Sequence, residues 1–134
     1  MPRDLKTDFS DAPVLKFGDI AAASTAQLDM MRAGKKTATS APLRDYEETG
    51  AALPEVGQTL LVQGLDGTLA LALRITGVTV KKFLDVPEAQ ARAEGMGSRD
   101  AWISTRRAEI GKAGGWSAFM EMVFCTFEVV GDAA

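Results

Sequence analysis

Two alternating segments joined by a tight-turn pair constrain the fold of this chain more than any other feature. Residues Leu60–Gln63 and Leu69–Val80 have the composition of β-strands, and Asp66-Gly67 lies between them. An Asp-Gly pair in this position is typical of a β-hairpin turn. In the second segment the odd positions 69 to 75 are leucine or isoleucine, and Arg74 falls on the other face. The pattern predicts an antiparallel hairpin with one strongly apolar face.

The elements around this hairpin indicate an α+β protein. Ile20–Ala33 is predicted to be a helix, with Asp19 as N-cap and Gly34 at its C-terminal end. Two further helices and a strand are predicted downstream: Pro87–Ala93, Arg99–Lys112 with Ser98 as N-cap, and the final strand Glu121–Val130. The pattern alone does not decide whether the sheet closes into a barrel.

Length and composition favour one globular domain. The chain has 134 residues, of which 46% are hydrophobic and 25% charged, enough for a single core. We expect a loose N-terminal arm over residues 1–12 and one domain over 13–134. Because no apolar run is long enough for a membrane span or a signal peptide, no membrane partner is expected. The single cysteine agrees with a reducing cytoplasm.

Residue usage also limits the chemistry. The chain contains no histidine and one cysteine, so we expect no metal site and no cofactor. The net charge of −3 argues against non-specific coating of nucleic acid. Cations nevertheless occur in three groups, which either form a local basic cleft or are simply solvated: Arg32, Lys35, Lys36 and Arg44; Lys81 and Lys82; Arg99, Arg106, Arg107 and Lys112.

The segment Gly34–Thr39, taken with the distant Glu94, contains the parts of an activated hydroxyl. The Thr39 hydroxyl is a weak nucleophile at neutral pH and needs a base. Lys36 can be that base if burial or a second cation lowers its pKa, and Glu94 can hold its ammonium form.

Spacing sets a condition on this hypothesis. Side chains three positions apart on a regular strand point to opposite faces, so Lys36 and Thr39 can share a pocket only if the segment is not a flat strand. The alternative is an exposed edge strand on which the lysines prevent aggregation.

The chain resembles the ASCH domains, whose fold is related to PUA-like RNA-binding barrels. The matching pieces occur in the family's order: Phe17-Gly18-Asp19, Gly34–Thr39, Tyr46-Glu47, Leu53–Gly57, Ile75–Val78, Phe83–Val86, Ala93-Glu94-Gly95, Trp102 and Phe127–Val130. The resemblance implies a small, strongly bent β-barrel with helices packed on the outside and a cleft at one end.

Some small members of the superfamily are amidohydrolases that deacetylate acetylated cytidine nucleosides. Carried over, Lys36 becomes the general base, Thr39 the nucleophile, and Glu94 an orienting or acid-base partner. Other relatives are linked to RNA cleavage. The chain departs from longer members after Glu94-Gly95, where Met96 and Ser98 stand in place of two acidic residues, and at Arg106, which replaces a histidine. Arginine cannot act as a base, but it can bind a phosphate or carboxylate.

The resulting prediction is a hydrolase acting on a modified nucleoside or nucleotide. The open alternatives are a module that binds RNA or a nucleotide, with or without ribonuclease activity, and a non-catalytic interaction domain. The expected ligand is a nucleoside, a nucleotide or a short single-stranded RNA. Its candidate contacts are Lys35, Arg44, Tyr46, Arg106 and Trp102, although core packing is the simpler role for Trp102. Cys125 is expected to be a buried strand residue rather than a catalytic thiol.

Overall fold

The protein contains a curled four-stranded antiparallel sheet that forms half a barrel. The structure, a computed structural model, describes residues 5–9, 12–13 and 24–133. The strands lie in the order β1-β4-β3-β2 and have these bounds: β1 Ala38–Pro42, β2 Thr59–Gln63, β3 Leu69–Lys82 and β4 Glu121–Asp132. This sheet, with helices around it, confirms the predicted α+β, PUA-like class.

The predicted hairpin is confirmed. β2 pairs antiparallel with β3, and the turn between them contains Asp66 and Gly67, whose φ is 86°. Leu71, Leu73 and Ile75 are buried as the alternation requires. Arg74 is exposed and forms an ion pair with Glu128 on β4 at 3.3 Å. β4, which was predicted as the last strand, pairs with both β3 and β1.

Five helices occur in the part of the chain that the structure describes: α1 Leu5–Asp8, α2 Thr25–Arg32, α3 Leu43–Thr49, α4 Glu88–Ala93 and α5 Arg99–Ala113. A single 3₁₀ turn, Phe83–Asp85, follows β3. Helices α4 and α5 confirm the predictions, including Ser98 as the N-cap of α5, whose hydroxyl accepts a hydrogen bond from the Ala101 backbone. None of the helices in these ranges is long and apolar enough to cross a membrane.

The first predicted helix is shorter than expected. Ser24 has extended dihedral angles (φ −69°, ψ 161°), and its side chain forms a capping box with Gln27. Helix α2 therefore begins at Thr25, and a continuous helix from Ile20 is wrong. Asp19, the predicted N-cap, and the Phe17-Gly18-Asp19 piece lie outside the described residues. Gly34 has a φ of 73°, which agrees with its predicted place at the helix end.

Two other segments differ from the sequence-based expectations. Part of the expected N-terminal arm, Leu5–Asp8, is a short helix, and Leu5 is buried against Leu61 and Ala72. Leu43–Thr49, where no helix or strand was predicted, is helix α3 and ends at Gly50 in the left-handed conformation.

The two faces of the sheet carry different cores. The α2-side core consists of Leu28, Met31, Leu60, Val62, Ala70, Leu71, Leu73, Ile75, Val123, Cys125 and Phe127. The α5-side core consists of Phe83, Val86, Ala91, Trp102, Ile110, Met122 and Phe124. Successive residues of β4 thus belong alternately to the two cores, as strand geometry requires. Because β1 pairs with β4, this alternation also determines which face each β1 side chain occupies.

Candidate functional site

The segment ahead of β1 is held between the end of α4 and strand β4. The Thr37 amide donates to the Ala93 carbonyl at 2.7 Å, and the Thr37 carbonyl accepts from the Phe127 amide at 2.8 Å. Lys36 therefore lies next to the C-terminal end of α4, where Glu94 is the C-cap residue. These backbone contacts bring together two side chains that are 58 residues apart in sequence.

Lys36 is buried, with 8% of its surface exposed. Its Nζ donates a hydrogen bond to the backbone carbonyl of Glu94 at 3.1 Å. Burial lowers the pKa of the Lys36 amine below its usual range, since the charged form is poorly solvated there. The charges of Glu94 and Glu109 oppose this shift, whereas that of Arg106 adds to it. A lysine with a lowered pKa has the property that a general base requires.

The Glu94 carboxylate is also buried, at 5% exposure, and two donors hold it. The Ser40 hydroxyl donates to Oε1 at 3.0 Å, and the Gln90 amide donates to Oε2 at 3.0 Å. The same Gln90 nitrogen lies 3.3 Å from the Thr39 carbonyl. Both carboxylate oxygens therefore have a neutral donor from a neighbouring element.

The Thr39 side chain does not lie with these groups. Thr39 is paired in register with Cys125 of the α2-side core, whereas Ser40 is paired with Phe124 of the α5-side core. Strand partners in register share a face, so Thr39 and Ser40 point to opposite sides of β1. The hydroxyl that meets Glu94 is thus that of Ser40. The condition placed on the Lys36–Thr39 pair is met only in part, because Lys36 precedes the strand while Thr39 lies within it.

Arg106 reaches the same place from helix α5. Its Nη2 donates to the Ser40 carbonyl at 2.8 Å, and its Nη1 forms an ion pair with Glu109 at 2.6 Å. Its Nε is buried and has no hydrogen-bond partner among the described residues. Arg106 thus supplies a fixed positive charge beside Lys36. We call Lys36, Ser40, Gln90, Glu94 and Arg106 the Glu94 site.

A family model for the ASCH domain matches residues 14–131, which is most of the chain. The chain belongs to the ASCH domain family. Membership favours RNA or nucleotide binding as the general role of this ASCH domain. No curated protein matches the chain.

Solved structures share the fold of this ASCH domain. Protein EF3133 from Enterococcus faecalis V583 has a TM-score of 0.72 at 24% identity, covering 90% of this chain and 76% of the other. An ASCH domain from Lactobacillus crispatus JV V101 has a TM-score of 0.69 at 23% identity, covering 97% of this chain and 86% of the other. Hypothetical protein PH0355 has a TM-score of 0.56 at 16% identity, covering 81% and 95% respectively.

The other predicted ligand contacts of this ASCH domain are dispersed. Lys35 is exposed. Arg44 binds the Gly114 and Gly115 carbonyls beyond α5 at 2.6 and 2.7 Å, so its guanidinium joins α3 to the end of α5. Tyr46 lies on α3 against the α2-side core, and burial, with the charges of Cys125 and Asp45, raises its pKa to about 12.

Trp102 lies in the α5-side core, which was the simpler of its two predicted roles. Its side chain is completely buried and packs on Phe83 and Phe124, with ring centroids 4.8 and 5.8 Å away. No face of the indole is left for a base to stack on. Cys125 is buried as predicted, and burial, with the Glu94 charge, raises the pKa of its thiol to about 11.

Two residues of the Glu94 site, Gln90 and Ser40, were not predicted from the sequence. Gln90 precedes Glu94 by one helical turn on a predicted helix, and this spacing places both side chains on one face. Ser40 directly follows the motif threonine, and strand alternation after Ala38 would have separated the two hydroxyls. Within the described ranges, no three His, Cys, Asp or Glu side chains are grouped so as to hold a metal ion.

Proposed function

We propose that this ASCH domain is a hydrolase that acts on an amide or ester of a modified nucleoside or nucleotide. The observation that carries the proposal is the burial of Lys36 beside Glu94, with the pKa of the lysine lowered. A lowered pKa increases the fraction of neutral amine, which is the form that can accept a proton. The ASCH family match supports a ligand that contains a nucleobase.

In the proposed reaction, the neutral Lys36 amine removes the proton from the Thr39 hydroxyl as its oxygen attacks the substrate carbonyl. The leaving amine or alcohol then takes the proton from the Lys36 ammonium, which leaves an ester on Thr39. Water deprotonated by Lys36 hydrolyses that ester and restores both side chains. Glu94 stabilises the transient ammonium through its charge. Thr39 lies on the face of β1 opposite Ser40, so this step requires the Lys36 side chain, which precedes the strand, to reach Thr39 when substrate binds.

We expect the substrate to be small. Arg106 provides one fixed cation at the Glu94 site, which suits a single phosphate or carboxylate group. Acetylated cytidine, the substrate implied by the amidohydrolase relatives, is the first compound to test. A cytoplasmic location agrees with the one buried thiol.

A binding module for RNA or a nucleotide is the second candidate. Its support is the guanidinium of Arg106 together with the fold, since an arginine can bind phosphate without chemistry. In this role the buried Lys36 would donate hydrogen bonds to a base or phosphate.

The test is a screen of the purified protein against acetylated nucleosides and a short labelled single-stranded RNA. Release of acetate from a nucleoside supports the hydrolase. Binding without product supports the binding module, and cleavage of the RNA supports a ribonuclease. Neither binding nor turnover with any of these compounds contradicts both candidate functions.

A further inference from the structure

Lys36 and Glu94 are buried neighbours that do not form a side-chain ion pair. Lys36 Nζ contacts the backbone carbonyl of Glu94, at 3.1 Å. The Glu94 carboxylate instead accepts hydrogen bonds from the Ser40 hydroxyl and the Gln90 amide, each at 3.0 Å. An ammonium and a carboxylate removed from water attract each other strongly, so this separation requires something that holds them apart.

We propose that Ser40 and Gln90 are positioning residues that hold the Glu94 carboxylate away from the Lys36 amine. Each of them binds a different carboxylate oxygen, which fixes both the position and the plane of the group. The two come from different elements, β1 and α4, so a rotation of Glu94 breaks at least one hydrogen bond.

The restraint is itself well anchored. Ser40 and Gln90 are each only 9% exposed, so water does not readily replace them. The Gln90 nitrogen also lies 3.3 Å from the Thr39 carbonyl and 3.5 Å from the Cys125 carbonyl. Arg106 binds the carbonyl of Ser40 from α5 at 2.8 Å. Backbone carbonyls of β1 and β4 thus hold Gln90, and Arg106 of α5 holds Ser40.

This restraint has a consequence for the amine. A carboxylate in direct contact with an ammonium favours the charged form and raises the pKa of the lysine. Held at a distance, Glu94 opposes the effect of burial only in part, so the pKa of Lys36 stays lowered. The other charges that act on Lys36 are Arg106 and Glu109 of α5. The restraint matters for catalysis only if Lys36 is the base proposed above.

The test is a titration of Lys36, which needs no substrate. Lysines are labelled with ¹³C and ¹⁵N at Cε and Nζ, and the Lys36 signal is assigned with Lys36→Arg. In Ser40→Ala the released carboxylate turns toward the ammonium, so we expect the pKa of Lys36 to rise by about one unit. Ser40→Thr keeps the hydroxyl and is expected to retain the wild-type value. Ser104→Ala, the same change at an exposed position of α5, is the matched control.

A pKa of Lys36 that is unchanged or lower in Ser40→Ala overturns the proposal. Gln90→Ala is a second variant for the same measurement, and a rise is expected there as well. The outcome is independent of the hydrolase proposal, because a shifted pKa without any turnover leaves the restraint in place while the enzymatic role fails. Turnover of a substrate without a shifted pKa in Ser40→Ala would support the hydrolase proposal and overturn the restraint.

Discussion

Thr39 and Ser40 are adjacent hydroxyl residues on one strand, yet the structure places them in different surroundings. Ser40 faces α4 and the α5-side core, and its hydroxyl binds the buried carboxylate of Glu94. Thr39 shares the opposite face with Cys125 and is only partly buried. The sequence pattern predicted a role for the threonine, whereas the hydrogen bond to Glu94 comes from the serine.

The difference shows that a hydroxyl residue in a sequence motif and a hydroxyl that forms a buried hydrogen bond can have different roles. A partly buried hydroxyl without a tight partner is available to react with a ligand, whereas a buried hydroxyl that already donates to a carboxylate fixes the geometry of its neighbour. We therefore assign the proposed nucleophile to Thr39, and the positioning of Glu94 beside the proposed base Lys36 to Ser40. Each prediction below tests one side of this division.

Removing the Thr39 hydroxyl is expected to have the largest effect. In Thr39→Ala, turnover of an acetylated nucleoside should fall by about a thousandfold or more, because the nucleophile is lost. Ligand affinity should stay within about tenfold of wild type, since little volume is removed. Steady-state kinetics and a binding titration measure the two quantities. Thr79→Ala, on an exposed part of β3, is the matched control. Unchanged turnover in Thr39→Ala would remove the threonine from the mechanism and favour a water nucleophile.

Neutralising Glu94 should shift the pKa of Lys36 in the direction opposite to that of Ser40→Ala. The Glu94 charge raises the pKa of Lys36 against the effect of burial, so Glu94→Gln should lower that pKa further, by about one unit. The lysine titration described above measures the shift. A Lys36 pKa that rises in Ser40→Ala and falls in Glu94→Gln shows that both the position and the charge of Glu94 act on the lysine. A Lys36 pKa that rises in Glu94→Gln contradicts this account.

The smallest expected effect is that of salt on binding. If the ligand contacts only Lys36 and Arg106, the slope of log affinity against log salt should be about one or two in magnitude. Titration of a short single-stranded RNA at several salt concentrations gives this value. Tight binding with a slope of about five would instead require a continuous basic track and would move the ligand away from the Glu94 site.

The sequence predicted those elements that have strong local signals. β3 follows from its alternating leucines, and α5 follows from Ser98 as a cap. Helix α3 was missed because Leu43–Thr49 follows a proline directly and contains no buried residue, so it has no apolar periodicity. The start of α2 was missed because the alanines before Ser24 are good helix formers. The capping box formed by Ser24 and Gln27 instead makes Thr25 the first residue of the helix.

The candidate site was predicted in part. Lys36 and Glu94 were paired through the family resemblance, and the structure places them in contact. Gln90 could have been predicted from its spacing to Glu94, whereas the role of Ser40 depends on which face of β1 meets α4, which no local pattern specifies. For Trp102 the sequence left two roles open, because an indole has the same sequence signal in a core and in a stacking site.

The most direct test of the central claim is the catalytic efficiency of Lys36→Ala on acetylated cytidine, measured beside the wild type. If Lys36 is the general base, kcat/KM should fall by at least about a hundredfold, and affinity should fall too because a hydrogen-bond donor is lost. Lys81→Ala, which removes an exposed lysine of β3, should retain wild-type turnover. Equal turnover in Lys36→Ala and wild type, or none in the wild type, would contradict the account.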